Sequence, residues 1–237
     1  MRWFLVSLAI AGCASAGKGN SIIGGITDAG LRADAQDLPQ PDAPLVDAPS
    51  QQLTLTQTMS NTIVDGISIA CRLSNSVTRE NSYYRVFALA DYGITTTFHV
   101  TQVDFGIQDA SAGIGTQQSA KVKIGTYGML PTGTSLDLSQ VRSVNSVDIQ
   151  IPDSNTGRVM TVPITGDIPP STSLIVELAI PDGTTTGVGN VFFIGTNTQG
   201  ERKLGYLRAP TCNLSVPTAI SSIAGETDMV LSVTGTR

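Results

Sequence analysis

The sequence is short of charge: Asp, Glu, Lys and Arg make up 14% of its 237 residues, against roughly 25% in typical soluble proteins. No Lys/Arg cluster interrupts a formal net charge of −5, so the basic footprint of a nucleic-acid binder is missing. No apolar run reaches the ~20 residues that a membrane-spanning helix needs. Helical periodicity is absent outside the N-terminus, which excludes a helical bundle. Histidine occurs once, at position 99. A Ser-His-Asp triad would have to use His99, yet there is no G-x-S-x-G elbow, and His99 falls opposite the apolar face of its strand. A hydrogen-bonded or exposed strand histidine is expected there. One histidine and three cysteines do not make the usual zinc sites. Gly113-Ile114-Gly115 lacks the third glycine of a dinucleotide fingerprint, where Gln118 stands instead. Asp104-Phe105-Gly106 matches a kinase triplet with no other kinase element present.

What the sequence does have begins at the N-terminus. Arg2 supplies a positive charge, and Trp3 to Gly12 is uncharged and apolar, the pattern of a signal-peptide core. It ends in Leu8-Ala9-Ile10-Ala11-Gly12-Cys13, which resembles the lipobox of bacterial lipoproteins. The resemblance implies cleavage before Cys13, a diacylglycerol on its thiol and an acyl chain on its new amine. Two or more acyl chains anchor a protein stably to a membrane. Ala14 rather than Asp after the cysteine implies sorting to the outer membrane or cell surface. A second reading stays open: Ala14-Ser15-Ala16 is a small-x-small site, and cutting there would release a secreted protein from Gly17 onward.

With Cys13 lipidated or removed, Cys71 and Cys212 are an even pair in an oxidising compartment, where a disulfide is expected. It would close a loop of about 140 residues, for which chain entropy gives on the order of 5 kcal/mol.

Residues 13–52 have no period and few aliphatics. Asp-Ala recurs at Asp28, Asp34, Asp42 and Asp47, with prolines at 39, 41, 44 and 49. Such a segment buries too little apolar surface to offset its ordering entropy, so a disordered, acidic linker is expected. Flexible, it would reach roughly 35 Å.

From residue 53 to 237 the pattern changes to short alternating runs broken by Gly, Pro, Asn and Asp. Leu174, Val176, Leu178 and Ile180 alternate with Glu177 and Ala179; Val147, Ile149 and Ile151 with Asp148 and Gln150; Val122 and Ile124 with Lys121 and Lys123. Tyr83 to Phe87 and Val191 to Ile194 are denser runs that suit central strands. Phe98 and Val100, then Val103, Phe105 and Ile107, slip in phase, and a β-bulge near Thr101-Gln102 would restore one face. With Leu53–Thr58, Ile67–Arg72, Val159–Ile164, Leu204–Arg208 and Val230–Thr234, the count is about ten strands. An all-β, two-sheet antiparallel sandwich, jelly-roll-like, is expected.

Asn81-Ser82-Tyr83-Tyr84-Arg85-Val86-Phe87, Val103 to Ile107, Phe193 to Asn197 and Tyr206 to Cys212 also resemble β-sandwich modules of secreted and surface proteins of bacteria. The resemblance implies adhesion or ligand binding and carries over no functional residue.

No catalytic residue, metal or cofactor is expected. Asp153 to Gly157 and Asp182-Gly183 suit turns better than a calcium loop. The expected partners are the membrane, through Cys13, and a glycan or an envelope protein, with no nucleic acid. Tyr83, Tyr84, Tyr92, Tyr127 and Tyr206 are the candidate sugar platforms once Trp3 leaves with the signal, although several of them are needed to fill the core. Two alternatives stand beside a binding module: a structural envelope protein without a small ligand, and a glycan-acting hydrolase using two of the domain's 14 acids.

Overall fold

The computed structural model describes residues 50–128, 130–184 and 189–237. The expected signal peptide 1–12, Cys13 and nearly all of the linker 13–52 lie outside the described residues.

The described residues form thirteen strands. In chain order the first seven are β1 (Gln52–Thr56), β2 (Asn81–Ala88), β3 (Phe98–Ser111), β4 (Gln117–Tyr127), β5 (Val141–Pro152), β6 (Arg158–Ile168) and β7 (Ser173–Ile180). Then come β8 (Val191–Ile194), β9 (Thr196–Asn197), β10 (Gly205–Ala209), β11 (Leu214–Ala219), β12 (Asp228–Met229) and β13 (Leu231–Thr236). One five-residue helix, α1 (Ile220–Ala224), stands between β11 and β12.

All pairings between these strands are antiparallel. One sheet has the order β1-β13-β3-β6, with β8 on the end of β3; the other runs β11-β10-β2-β7-β4-β5. The chain changes sheet after β1, β2, β3, β5, β6 and β7, as a two-sheet sandwich requires. β9 and β12 make a small separate ribbon.

Period-two alternation builds the core. Leu174, Val176, Leu178 and Ile180 of β7 meet Val122 and Ile124 of β4 and Phe98, Phe105 and Ile107 of β3 in one buried cluster. The phase slip in β3 is a bulge: Val100 pairs with Gly235 and Gln102 with Thr234, leaving Thr101 as the extra residue. Phe98, Val100, Val103, Phe105 and Ile107 are accordingly all buried. Gly235 sits where β13 passes this bulge, and a Cβ there would meet Phe98 Cζ at 2.6 Å.

Two expectations are corrected. Residues 67–72 are not a strand: one isolated bridge joins Arg72 to Thr78. Two of their backbone donors go to side chains instead, Ser68 N to Gln108 Oε1 and Cys71 N to Asn81 Oδ1, so no sheet ladder is needed to satisfy these. Val191 to Ile194 is not a central strand but the short β8 at the end of β3, its Phe193 ring half-exposed beneath the Arg72 guanidinium, 6.0 Å away. By contrast β2, the other dense run, lies inside its sheet between β10 and β7.

Cys71 and Cys212 form a disulfide across a sequence separation of 141 residues. It ties the segment before β2 to the turn after β10.

Candidate functional site

The six-stranded sheet turns one face to the core and leaves the other open in part, a second small core around Leu136 covering the rest. Its open face follows from the same alternation. Tyr83 and Phe87 point inward, so Ser82 and Tyr84 point out; Val122 and Ile124 point inward, so Lys121 and Lys123 point out. The register then aligns these outward residues in rows. Arg208, Ser82, Ala179, Lys121 and Asp148 are successive partners across five strands. In the next row stand Tyr206, Tyr84, Glu177, Lys123 and Ser146.

Ser82 and Ala179 are small, and the charged side chains around them are long, so a groove of about 440 Å³ opens between. Its charges are paired. Arg208 Nη1 is 2.8 Å from Glu80 Oε1, Lys121 Nζ 3.1 Å from Asp148 Oδ1, and Lys123 Nζ 3.0 Å from Glu177 Oε2. Lys123 and Glu177 also line a neighbouring hollow of about 310 Å³ with Tyr84, Gly125, Leu138 and Val141. Burial, and next the Glu177 carboxylate beside it, raise the pKa of the Tyr84 phenol. Ser119 and Gln150 continue the polar rim, with Gln150 Nε2 donating to Ser119 Oγ at 3.0 Å.

A second polar centre lies inside the sandwich. Arg85, between Tyr83 and Phe87, points to the core and is wholly buried. Its partner position on β10 is Gly205, where a Cβ would sit 3.3 Å from Arg85 Nη2; the glycine makes room for the guanidinium. Arg85 Nη2 donates to Glu201 Oε2 at 2.7 Å and to Met229 O at 2.9 Å. Its Nε and Nη1 have no hydrogen-bond partner, and neither has Oε1 of the buried Gln57. Burial raises the Glu201 carboxyl pKa, with Arg85 pulling it back down. Alternation alone assigns Arg85 to the inner face; its charge is what hid it from a composition-based core.

The sequence candidates are distributed as follows. Cys71 and Cys212 are joined; Cys13 lies outside the described residues. His99 is 53% exposed and its Nδ1 is 2.7 Å from Asp167 Oδ1 across β3 and β6, a surface pair. The tyrosine platform is not on the surface: Tyr83, Tyr84, Tyr127 and Tyr206 are buried and Tyr92 is half-buried. Tyr84, Tyr127 and Tyr206 do share the open face, where Leu136 covers them in a second small core with Val86 and Ile175. Asp153 and Asp182 are turn residues. Asp153 Oδ1 accepts from Ala112 N, and Asp182 Oδ1 accepts from Thr184 N while its Oδ2 is 3.2 Å from Arg79 Nε. No group of three or more His, Cys, Asp or Glu suited to a metal ion occurs among the described residues. Glu80, just before β2, Arg208 on β10 and Asp148 on β5 come into the groove from different parts of the chain; only the register, which no single segment encodes, brings them together.

No protein-family model matches the chain, and no curated protein sequence matches it. One solved structure is similar in part: the cysteine protease and lectin-like domains of Cwp84, a surface layer associated protein of Clostridium difficile. The two share 11% identity at a TM-score of 0.38, over 67% of this chain and 32% of that one. This chain thus spans about a third of that protein's length, and a likeness of this extent assigns it neither activity nor ligand.

Proposed function

We propose that this protein is an envelope-displayed, non-catalytic binding module, anchored by lipid on Cys13 and binding its ligand in the groove on the open face of the six-stranded sheet. The groove carries the proposal. Six charged side chains, five from strands β4, β5, β7 and β10 and Glu80 from just before β2, converge on a small-residue floor, and the groove's volume falls within the ~300–1,000 Å³ of ligand sites. Each carboxylate in the groove is engaged by a cation, which suits holding a ligand better than transferring a proton. The lipobox pattern at 8–13 and the acidic linker supply the display.

Two experiments test this. The mass of the mature N-terminus is expected to show a triacylated Cys13; an unmodified Gly17 start overturns the anchor and leaves a secreted protein. Envelope extracts are expected to retain on the immobilised full chain, and to be lost when Lys123 and Glu177 are both replaced by Ala. Equal retention by that variant overturns the groove.

A second reading, a structural envelope protein, has its own support. Leu130, Leu138 and Val216 are exposed around a hollow of about 500 Å³ that includes Pro131 and Pro217, an apolar patch suited to a protein neighbour. Crosslinking in cells from position 216 is expected to capture a protein partner if that reading holds, and none if it does not.

A further inference from the structure

We infer that the groove selects an uncharged, hydroxyl-rich chain, a neutral glycan, over charged polymers and polypeptides. The inference rests on the groove being the binding site and adds the class of ligand.

Charge is the first argument. The groove holds three cations, Lys121, Lys123 and Arg208, and three anions, Glu80, Glu177 and Asp148, each within 3.1 Å of its opposite. Net charge along it is zero. A polyanion meets three carboxylates and a polycation meets three cations, so neither gains from the field. A ligand bearing one strong charge must also separate an existing pair before it can form its own.

Hydroxyl groups face no such obstacle. An –OH donates to a carboxylate oxygen and accepts from an ammonium or guanidinium at once. It can therefore bridge Glu177 and Lys123, or Glu80 and Arg208, without breaking the attraction between them. Vicinal hydroxyls present such donor–acceptor pairs repeatedly along a chain, and ion pairs recur along the groove in the same way. Ser82 between the pairs, and Ser119 with its partner Gln150 beyond Lys121 and Asp148, add neutral donors and acceptors.

A polypeptide is less well served. Its recognition by a sheet works through unpaired strand edges, whereas the floor of the groove lies over β2 and β7, each paired on both sides, and only the Asp148 rim reaches β5 at the edge of the sheet. The buried Tyr84 offers no open ring face for stacking, so attachment rests on hydrogen bonds to partly solvated groups, and affinity per site is modest.

The test uses the full chain with neutral malto-, cello- and manno-oligosaccharides, oligoalginate, oligolysine and a random peptide mixture, each titrated with calorimetry at low and high salt. At least one neutral series is expected to bind with little salt dependence. Glu177→Gln and Lys123→Met are each expected to weaken it about tenfold or more, since each removes a charge-assisted hydrogen bond. Asp167→Asn, on the other sheet, serves as a control and is expected to leave binding unchanged. Binding of oligoalginate or oligolysine that collapses with salt overturns the ligand class, as does peptide binding or silence from every neutral series. Those outcomes leave the groove itself standing if Lys123 and Glu177 still govern retention of envelope extracts; indifference to both variants in both assays overturns the binding site as well.

Discussion

At the scale of single residues, the domain depends on polar groups placed where only partners make them tolerable. Arg85 cannot shed its charge, and Glu201 is the anion beside it, its side chain only 8% exposed. Replacing Glu201 by Ala is expected to cost roughly 3–5 kcal/mol, because it strands a buried cation. Urea denaturation measures this, and a loss under about 1 kcal/mol would contradict it. Replacing both residues by apolar ones, Arg85→Met with Glu201→Leu, is expected to recover most of the loss. Tyrosines give a pH dependence of definite sign. Burial holds the phenols of Tyr83 and Tyr84 above their ordinary range and pushes those of Tyr92 and Tyr206 up to about 12. In the unfolded chain these protons leave near pH ~10. The stability they represent is therefore full below about pH 10 and falls as pH rises to about 12 and beyond. An ultraviolet titration is expected to show these four ionising together with unfolding; ionisation near pH ~10 with the fold intact would refute that.

At the scale of elements, alternation was legible wherever one face of a strand is apolar and the other polar. The β3 bulge is the clearest case, since a break in period can be located to one or two residues from side-chain polarity alone. Elements held by side chains were not legible. Residues 67–72 look like a strand because Ile67 and Ile69 alternate, yet Gln108 and Asn81, distant in sequence, take their backbone donors. β11 escaped because Val216-Pro217 reads as a break; proline is admitted at a sheet edge, and β11 is the edge beside β10. The groove was half legible. Glu177 and the two lysines were recognisable as outward-facing, but their pairing with one another depends on which strands adjoin, and sequence periodicity does not encode that. Gly235 provides the test at this scale. Gly235→Ala is expected to cost roughly 1–3 kcal/mol through overpacking against the bulge. Gly133→Ala, with nothing within 4 Å of its Cβ, is expected to be close to neutral. Equal effects in thermal denaturation would mean that the bulge yields.

At the scale of the whole molecule, the two ends of the sandwich are held in different ways. β1 lies against β13 through hydrogen bonds and through Leu55, which is buried in the core, and Gln51 and Arg237 exchange backbone hydrogen bonds at 3.2 and 3.1 Å. The interior of the chain is closed by Cys71–Cys212. Removing that bridge with Cys71→Ser and Cys212→Ser is expected to cost roughly 2–5 kcal/mol in denaturant unfolding. It also decides how the protein behaves as a mechanical link. If the domain is stretched between its first strand and its last, β1 unzips from β13 residue by residue, but lengthening stops where the strain reaches sulfur. Only residues 52–70 and 213–237 can then run out, about 150 Å of slack, while the bridge keeps the span between the cysteines from adding to the extension. A grip made on the outer groove, whose strands β2, β4, β5, β7 and β10 all lie within that span, would survive a tug that had already frayed the edges.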